Sequence, residues 1–135
     1  RYCKFYEGLA GELKCFAKSN FALQENIGRM KAKEHLESAW EMRKLINPNA
    51  KKPNALENEI ELNPLLSFIW GAFCELSSSR GSNGFSILPI SVRDIYYYQQ
   101  LYELRFNDFE LRCIRDVDNI FLQHIAISRD KKEVK

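Results

Sequence analysis

The stretch Trp70-Gly71-Ala72-Phe73-Cys74-Glu75-Leu76-Ser77-Ser78-Ser79-Arg80 continues through Gly81-Ser82-Asn83-Gly84 to Leu88-Pro89-Ile90-Ser91. It reads as an aromatic helix that stops in a serine run, because serines compete for backbone hydrogen bonds and favour a helix exit. A glycine-bearing loop anchored by Arg80 follows, since glycine permits turns that other residues resist. Pro89 then prepares a fresh helix start. Helix, loop and helix in close succession make this a corner, onto which the neighbouring segments must pack.

Upstream, Asn63-Pro64 supplies a capping asparagine with proline at the first helical position. Leu65, Ile69, Ala72, Phe73 and Leu76 form the stripe expected to be buried, and Leu66, Phe68 and Trp70 broaden it beyond one face. A helix that apolar is wrapped by neighbours or presents surface to a partner. Downstream, Ser91-Val92-Arg93-Asp94 is a capping box opening a helix through Ile95, Tyr98, Leu101 and Tyr102. Asn107-Asp108-Phe109-Glu110 is a second one. It starts a long last helix with Leu111, Ile114, Val117, Phe121 and Ile125 on one face.

Towards the N-terminus, Tyr2, Phe5, Tyr6, Leu9, Leu13, Phe16 and Ala17 recur at three- and four-residue steps, one face of an amphipathic helix. Gly8 and Gly11 each cost that helix about 1 kcal/mol against alanine, so packing or a close-approaching element is expected to hold it. Ser19-Asn20 predicts a stop and restart. Leu23, Ile27, Met30, Leu36, Trp40 and Leu45 then outline a second helix closing at Ile46-Asn47-Pro48. Residues 47–63 open with two prolines and four asparagines up to Asn58, a composition that ends helices; the Leu56–Leu62 segment is one short turn or an extended piece. No alternating strand pattern emerges. The fold class expected is therefore all-α: an N-terminal helical hairpin or arm over residues 1–46, a linker over 47–63, a compact three-helix C-terminal body over 64–127 and a flexible tail over 128–135.

Composition narrows the function classes. Basic side chains number 20 and acidic ones 18, a net of +2. A dedicated DNA binder concentrates positive charge on one face to displace counterions from phosphates, so nucleic acid is an unfavoured partner. Residues 1–46 carry nine basic and six acidic side chains, whereas residues 65–127 carry five and seven; the arm is mildly basic and the body mildly acidic. The four cysteines, Cys3, Cys15, Cys74 and Cys113, lie at wide spacings with no Cys-x-x-Cys, and His35 and His124 stand apart from most of them, which argues against zinc. Set among apolar residues, they suit small buried hydrophobes in a reducing cytosol. No apolar run is long enough to span a membrane and no signal peptide opens the chain, so a soluble, intracellular protein is expected.

Catalytic signatures are missing where they would be needed. Ser77-Ser78-Ser79 has no histidine near in sequence and no nucleophile elbow, and the glycine loop lacks the Gly-Lys-Ser/Thr ending of a phosphate loop. No catalytic residue, metal ligand or cofactor is therefore expected. Most carboxylates occupy capping or solvent positions. Asp118 differs, lying beside the buried stripe of the last helix, and a carboxylate there needs a partner. Arg80 is the expected one, with Arg112 and Arg115 as competitors: a guanidinium can bond a carboxylate and loop carbonyls together, pinning the loop to the helix. Tyr96-Tyr97-Tyr98 points around a helix rather than along one face, so at least one tyrosine is expected to be exposed. Trp70, Phe73 and Tyr97 are the expected contacts for a protein partner, tryptophan and tyrosine being enriched at interfaces.

The spacing Trp70-x-x-Phe73-x-Glu75-Leu76-Ser77-Ser78-x-Arg80, a glycine loop ending Pro89-Ile90, a tyrosine-bearing helix and Arg112-x-x-Arg115-x-x-Asp118 resembles tail assembly chaperones and related accessory proteins of long-tailed bacteriophages and prophages. The resemblance covers about residues 65–125, with Leu88-Pro89 standing where many members carry Gly-Pro. It implies a non-enzymatic protein of the bacterial host cytoplasm that coats the helical tape measure protein and helps recruit tail tube subunits. Self-association through the arm is a further expectation. The competing readings are a small helical nucleic-acid-binding or regulatory module using the basic arm, and a structural tail or head-tail subunit.

Overall fold

The structure, a computed structural model, describes residues 4–27 and 30–133; Tyr2 and Cys3 lie outside the described residues. The chain is mostly helical. In order it forms α1 (Lys4–Gln24), a ladder of β1 (Asn26–Ile27) and β2 (Met30–Lys31), α2 (Ala32–Ile46), α3 (Asn54–Glu57), a 3-10 turn (Pro64–Leu66), α4 (Ser67–Ser78), α5 (Val92–Leu101) and α6 (Asp108–Glu133).

One core joins α1, α4, α5 and α6. Leu9, Leu13 and Ala17 of α1 meet Ile69, Ala72, Phe73 and Leu76 of α4 and Cys113, Ile114 and Val117 of α6, with Ile95 and Phe106 closing one side. The spacing of these residues at three, four and seven steps is what turns one stripe of each helix inward. The most extensive packing is between α1 and α6. The N-terminal hairpin is therefore not a detached arm: α1 is a core helix, and α2, which buries no residue fully, is the peripheral one.

Local chemistry sets the helix starts. The Asn63 side chain accepts from the Leu65 amide at 3.0 Å, and the Ser91 hydroxyl accepts from the Asp94 amide at 3.0 Å. At Asn107 the box is reciprocal: the Glu110 amide donates to the Asn107 side chain at 2.8 Å and the Asn107 amide to Glu110 at 3.1 Å. Each bond satisfies an amide that the first helical turn leaves unpaired.

Four expectations need correction. The stop at Ser19-Asn20 does not occur, because α1 continues to Gln24 and the turn beyond it packs Phe21 against Phe73 and Phe121 at 6.0 and 5.3 Å between ring centroids; packing outweighs capping propensity. The second helix does not begin near Leu23. An antiparallel ladder pairing Asn26 with Lys31 and Ile27 with Met30 intervenes, the strand that the absence of alternation in the sequence hid. The tail does not leave the fold at Ser128, for α6 runs to Glu133, held where Ser128 donates to Glu25 at 2.9 Å and Arg129 to the Phe85 carbonyl at 3.1 Å. Of the cysteines, Cys113 is buried, but Cys15 and Cys74 are exposed.

Of the two alternatives expected around Gly8 and Gly11, packing is the one that holds α1, through Leu9, Leu13 and Ala17, since a methyl group built on either glycine meets nothing within 4 Å. No element approaches them closely. The 47–63 segment is tied down: α3 buries Leu56, Lys33 binds Glu59 at 2.6 Å and Asn63 donates to Glu12 at 2.9 Å.

Candidate functional site

The corner between α4 and α5 contains a buried polar node that ties the loop to both α4 and α6. Ser77 and Arg80 leave the end of α4 three residues apart, so the arginine folds back and donates from Nε and Nη2 to the Ser77 hydroxyl at 3.3 and 2.9 Å. Its Nη1 donates to the Leu88 carbonyl across the loop at 3.1 Å. The guanidinium lies over the Phe121 ring at 4.6 Å and its Nη2 stands 2.7 Å from Asp118 Oδ1. Asp118 Oδ2 accepts the Ile90 amide at 3.0 Å. The structure thus brings Arg80 and Asp118 together, with side chains only 7% and 6% exposed. Oδ1 has no aligned hydrogen bond, so at that oxygen the attraction is the ionic contact. A charge pair this dry interacts more strongly than one in water, and each member also holds one side of the loop.

The loop itself is a tight hairpin. Asn83 accepts the amides of Phe85 and Ser86 at 3.0 and 2.8 Å, Ser82 bridges to Ile87, and Gly84 adopts φ +86°, a conformation that costs a residue with a Cβ about 1–2 kcal/mol. Ser77 therefore serves as an acceptor for arginine.

Beside this node, α4 and α5 enclose a groove of about 370 Å³ lined by Glu75, Leu76, Ser78, Ser79, Asp94, Tyr97, Tyr98 and Leu101. The α5 helix carries two apolar faces. Ile95 and Tyr98 turn towards the core, where Tyr98 stacks on Phe106 with centroids 5.9 Å apart. Tyr97 and Leu101, one turn apart, face outward and are 62% and 74% exposed. The Tyr102 hydroxyl donates to the Glu75 carboxylate, which raises the phenol's pKa by stabilising the protonated form. Burial, followed by the Glu75 charge, raises that of Tyr98. Two phenols thus stay neutral beside one carboxylate. Leu65, in the 3-10 turn before α4, and Phe68, in the first turn of α4, are also exposed, with Phe68 linked to Phe106 at 5.9 Å.

The expected partner contacts separate in the structure. Tyr97 is on the surface. Phe73 is 2% exposed and belongs to the core, so it has no surface to offer a partner. Trp70 is half-buried, wedged against Phe16 at 4.8 Å and Phe73 at 5.5 Å. Leu101, which the sequence placed on one stripe with Ile95 and Tyr98, and Phe68, which it read only as broadening the apolar face of α4, are both exposed. Their signal was present: Leu101 repeats Tyr97 at one helical turn, off the Ile95–Tyr98 stripe.

A second groove, of about 390 Å³, opens between the end of α1 and α6, where Glu25 approaches His124 at 4.0 Å. Among the described residues no three His, Cys, Asp or Glu side chains are grouped to hold a metal ion, and no helix is long and apolar enough to cross a membrane.

Residues 45–123, which hold α4, the pinned loop, α5 and most of α6, match the profile of a family described as phage tail assembly chaperone. The chain belongs to this family. It is also similar to Protein MGF 360-12L of African swine fever virus, with 30% identity over 129 residues, 95% of this chain and 32% of that protein. The chain spans about a third of the length of that curated relative. No solved structure matches the chain.

Proposed function

We propose that the protein is a non-enzymatic tail assembly chaperone that binds the tape measure protein, the tail tube protein or both, in the bacterial host cytoplasm. The observation that carries this reading is the outward stripe of α5: Tyr97 and Leu101 are exposed at one helical turn, beside the α4–α5 groove that they help to line, the kind of surface on which an amphipathic client helix lays its apolar face. A monomer seldom leaves such residues uncovered together without a use for them. Leu65 and Phe68 extend the same apolar character to the start of α4. Trp70 and Phe73 serve the site from within, by holding α4 against α1.

The family membership supports the partner class, and the exposed stripe supports the place of contact. Co-expression with a tagged tape measure segment, and separately with the tail tube protein, tests the reading. The wild-type chain should co-purify with at least one of them, and Tyr97→Asp with Leu101→Asp should abolish capture while leaving the circular dichroism spectrum unchanged. Capture that survives this double substitution would reject the α5 stripe as the contact.

A further inference from the structure

The charged side chains of α2 are segregated along its length. Residues 32–41 hold one basic and three acidic side chains, whereas residues 42–52, the last turns and the segment after them, hold four basic and none acidic. From this basic end project Met42, Leu45 and Ile46, 67%, 87% and 89% exposed, at a three- and four-residue spacing that gathers them on one side of the helix. Trp40 and Lys44, one turn apart, occupy its half-buried side. The aliphatic side chains therefore point away from α1, α3 and the ladder, on which α2 packs.

The chain then turns back on the helix end. The Asn47 amide donates to the Arg43 carbonyl at 2.8 Å and the Ala50 amide to the Asn47 carbonyl at 2.9 Å, while the Ala50 carbonyl accepts the Trp40 indole N–H at 3.4 Å. This turn brings Lys52 to 5.7 Å from the Trp40 ring centroid, where Lys44 already lies at 3.9 Å. Basic side chains from two segments thus flank one aliphatic tip. Lys44 is paired with the exposed Glu41 at 2.8 Å, but Arg43, Lys51 and Lys52 have no ion-pair partner among the described residues.

A contact with another protein is built around a shaped apolar centre and is depleted of lysine. This surface is a projecting tip with lysines around it. An anionic bilayer needs no shaped pocket: aliphatic side chains enter the boundary of headgroups and acyl chains, and long basic side chains keep their charges at the phosphates. We infer that the C-terminal end of α2 docks the protein reversibly on an anionic phospholipid surface, with Met42, Leu45 and Ile46 at that boundary and Arg43, Lys51 and Lys52 on the phosphates. Docking of this kind lies on the bilayer and needs no spanning helix, which the described residues lack.

The inference is independent of the client contact on α5. Co-sedimentation of the whole chain with vesicles tests it, using phosphatidylcholine alone or in equal parts with phosphatidylglycerol. Lipid is carried to about millimolar concentration, because a patch this small binds weakly. Wild-type protein should pellet with the anionic vesicles only and be released as salt is raised. Arg43→Glu with Lys51→Glu should weaken binding by about twentyfold or more, since each basic side chain near an anionic surface is worth about fivefold. Leu45→Asp with Ile46→Asp, which changes only exposed side chains, should abolish binding and leave the melting curve and client capture as in wild type. Tyr97→Asp with Leu101→Asp should pellet as wild type does, so that failure of the client reading and failure of this one are told apart.

Wild-type protein that stays in the supernatant, or pellets equally with both vesicles, would overturn the inference, as would Leu45→Asp/Ile46→Asp protein that still pellets. Vesicle binding absent together with client capture lost in Leu45→Asp/Ile46→Asp would overturn it in favour of a protein on this tip. Leu45→Trp supplies a second measurement: its fluorescence should shift to the blue with anionic vesicles, and an unshifted spectrum would show that the tip does not enter the bilayer.

Discussion

Two ion pairs of nearly equal length hold distant parts of this chain together, and their surroundings make them different objects. Arg80 and Asp118 meet at 2.7 Å with side chains 7% and 6% exposed, while Lys33 and Glu59 meet at 2.6 Å with side chains 34% and 39% exposed. The first pair is shut off from solvent, so its members depend on one another and on the Ser77, Leu88 and Ile90 groups around them. Water can replace either member of the second. Distance alone does not rank such contacts.

The largest expected effect follows from the buried pair. Arg80→Ala or Asp118→Ala leaves an uncompensated buried charge and should cost about 3–5 kcal/mol in urea unfolding. The double substitution should cost far less than the sum, because the second removal relieves the charge that the first stranded. Additive losses would break the comparison by showing that the two side chains do not act as a unit. Arg80→Lys should recover only part of the loss, since an ammonium cannot reach Ser77, Leu88 and Asp118 with one planar fork.

Phe73 and Tyr97 provide the same contrast without charge. Phe73→Ala opens a cavity in the core and should cost about 3–5 kcal/mol. Tyr97→Ala, at a 62% exposed position, should leave thermal stability close to wild type and act instead on client capture. A large stability loss at Tyr97 would mean that the stripe belongs to the fold rather than to a partner.

These contrasts mark where the sequence was readable. Helix starts were legible at Asn63, Ser91 and Asn107, because a cap is a contact between residues two or three apart. The stripes of α4 and α6 were legible because periodicity is local as well. The need of Asp118 for a partner could be argued from its place beside Val117. The continuation of α1 past Ser19 was not legible, since it depends on Phe21 meeting Phe73 and Phe121 from distant segments. Nor was the division of labour among Trp70, Phe73 and Tyr97, because aromatic composition is the same whether a ring faces the core or the solvent. α6 reaches Glu133 through contacts to Glu25 and Phe85, which no local pattern announces.

Glycines allow a smaller test with opposite signs. At Gly84, with φ +86°, alanine should destabilise by about 1 kcal/mol because its Cβ crowds the backbone in that region. Gly11 is helical with open space around it, and alanine there should stabilise by up to about 1 kcal/mol. A loss at Gly11 would reveal a contact that its open surroundings do not suggest.

The exposed pair supplies the smallest effect and a test of pH. The hydrogen bond to Glu59, followed by the charge of that carboxylate, holds the Lys33 pKa above its ordinary value despite an opposing contribution from burial. A lysine whose pKa is raised on folding contributes stability that is fully present below its unfolded pKa and is lost only as pH rises through the folded one. Whatever the pair adds should therefore be constant between pH 6 and pH 9 and fade only beyond about pH 10.4, where free lysine titrates. Lys33→Ala should leave the melting midpoint within experimental error of wild type across that range, and molar salt should erase any residue of difference, since screening acts fully on solvent-exposed charges. The Arg80 and Asp118 variants should keep most of their deficit in the same salt. A salt response shared by both pairs would place the Arg80–Asp118 node in contact with solvent, and with it would go the reason to treat the two side chains as a buried unit that pins the loop between α4 and α5 to α6.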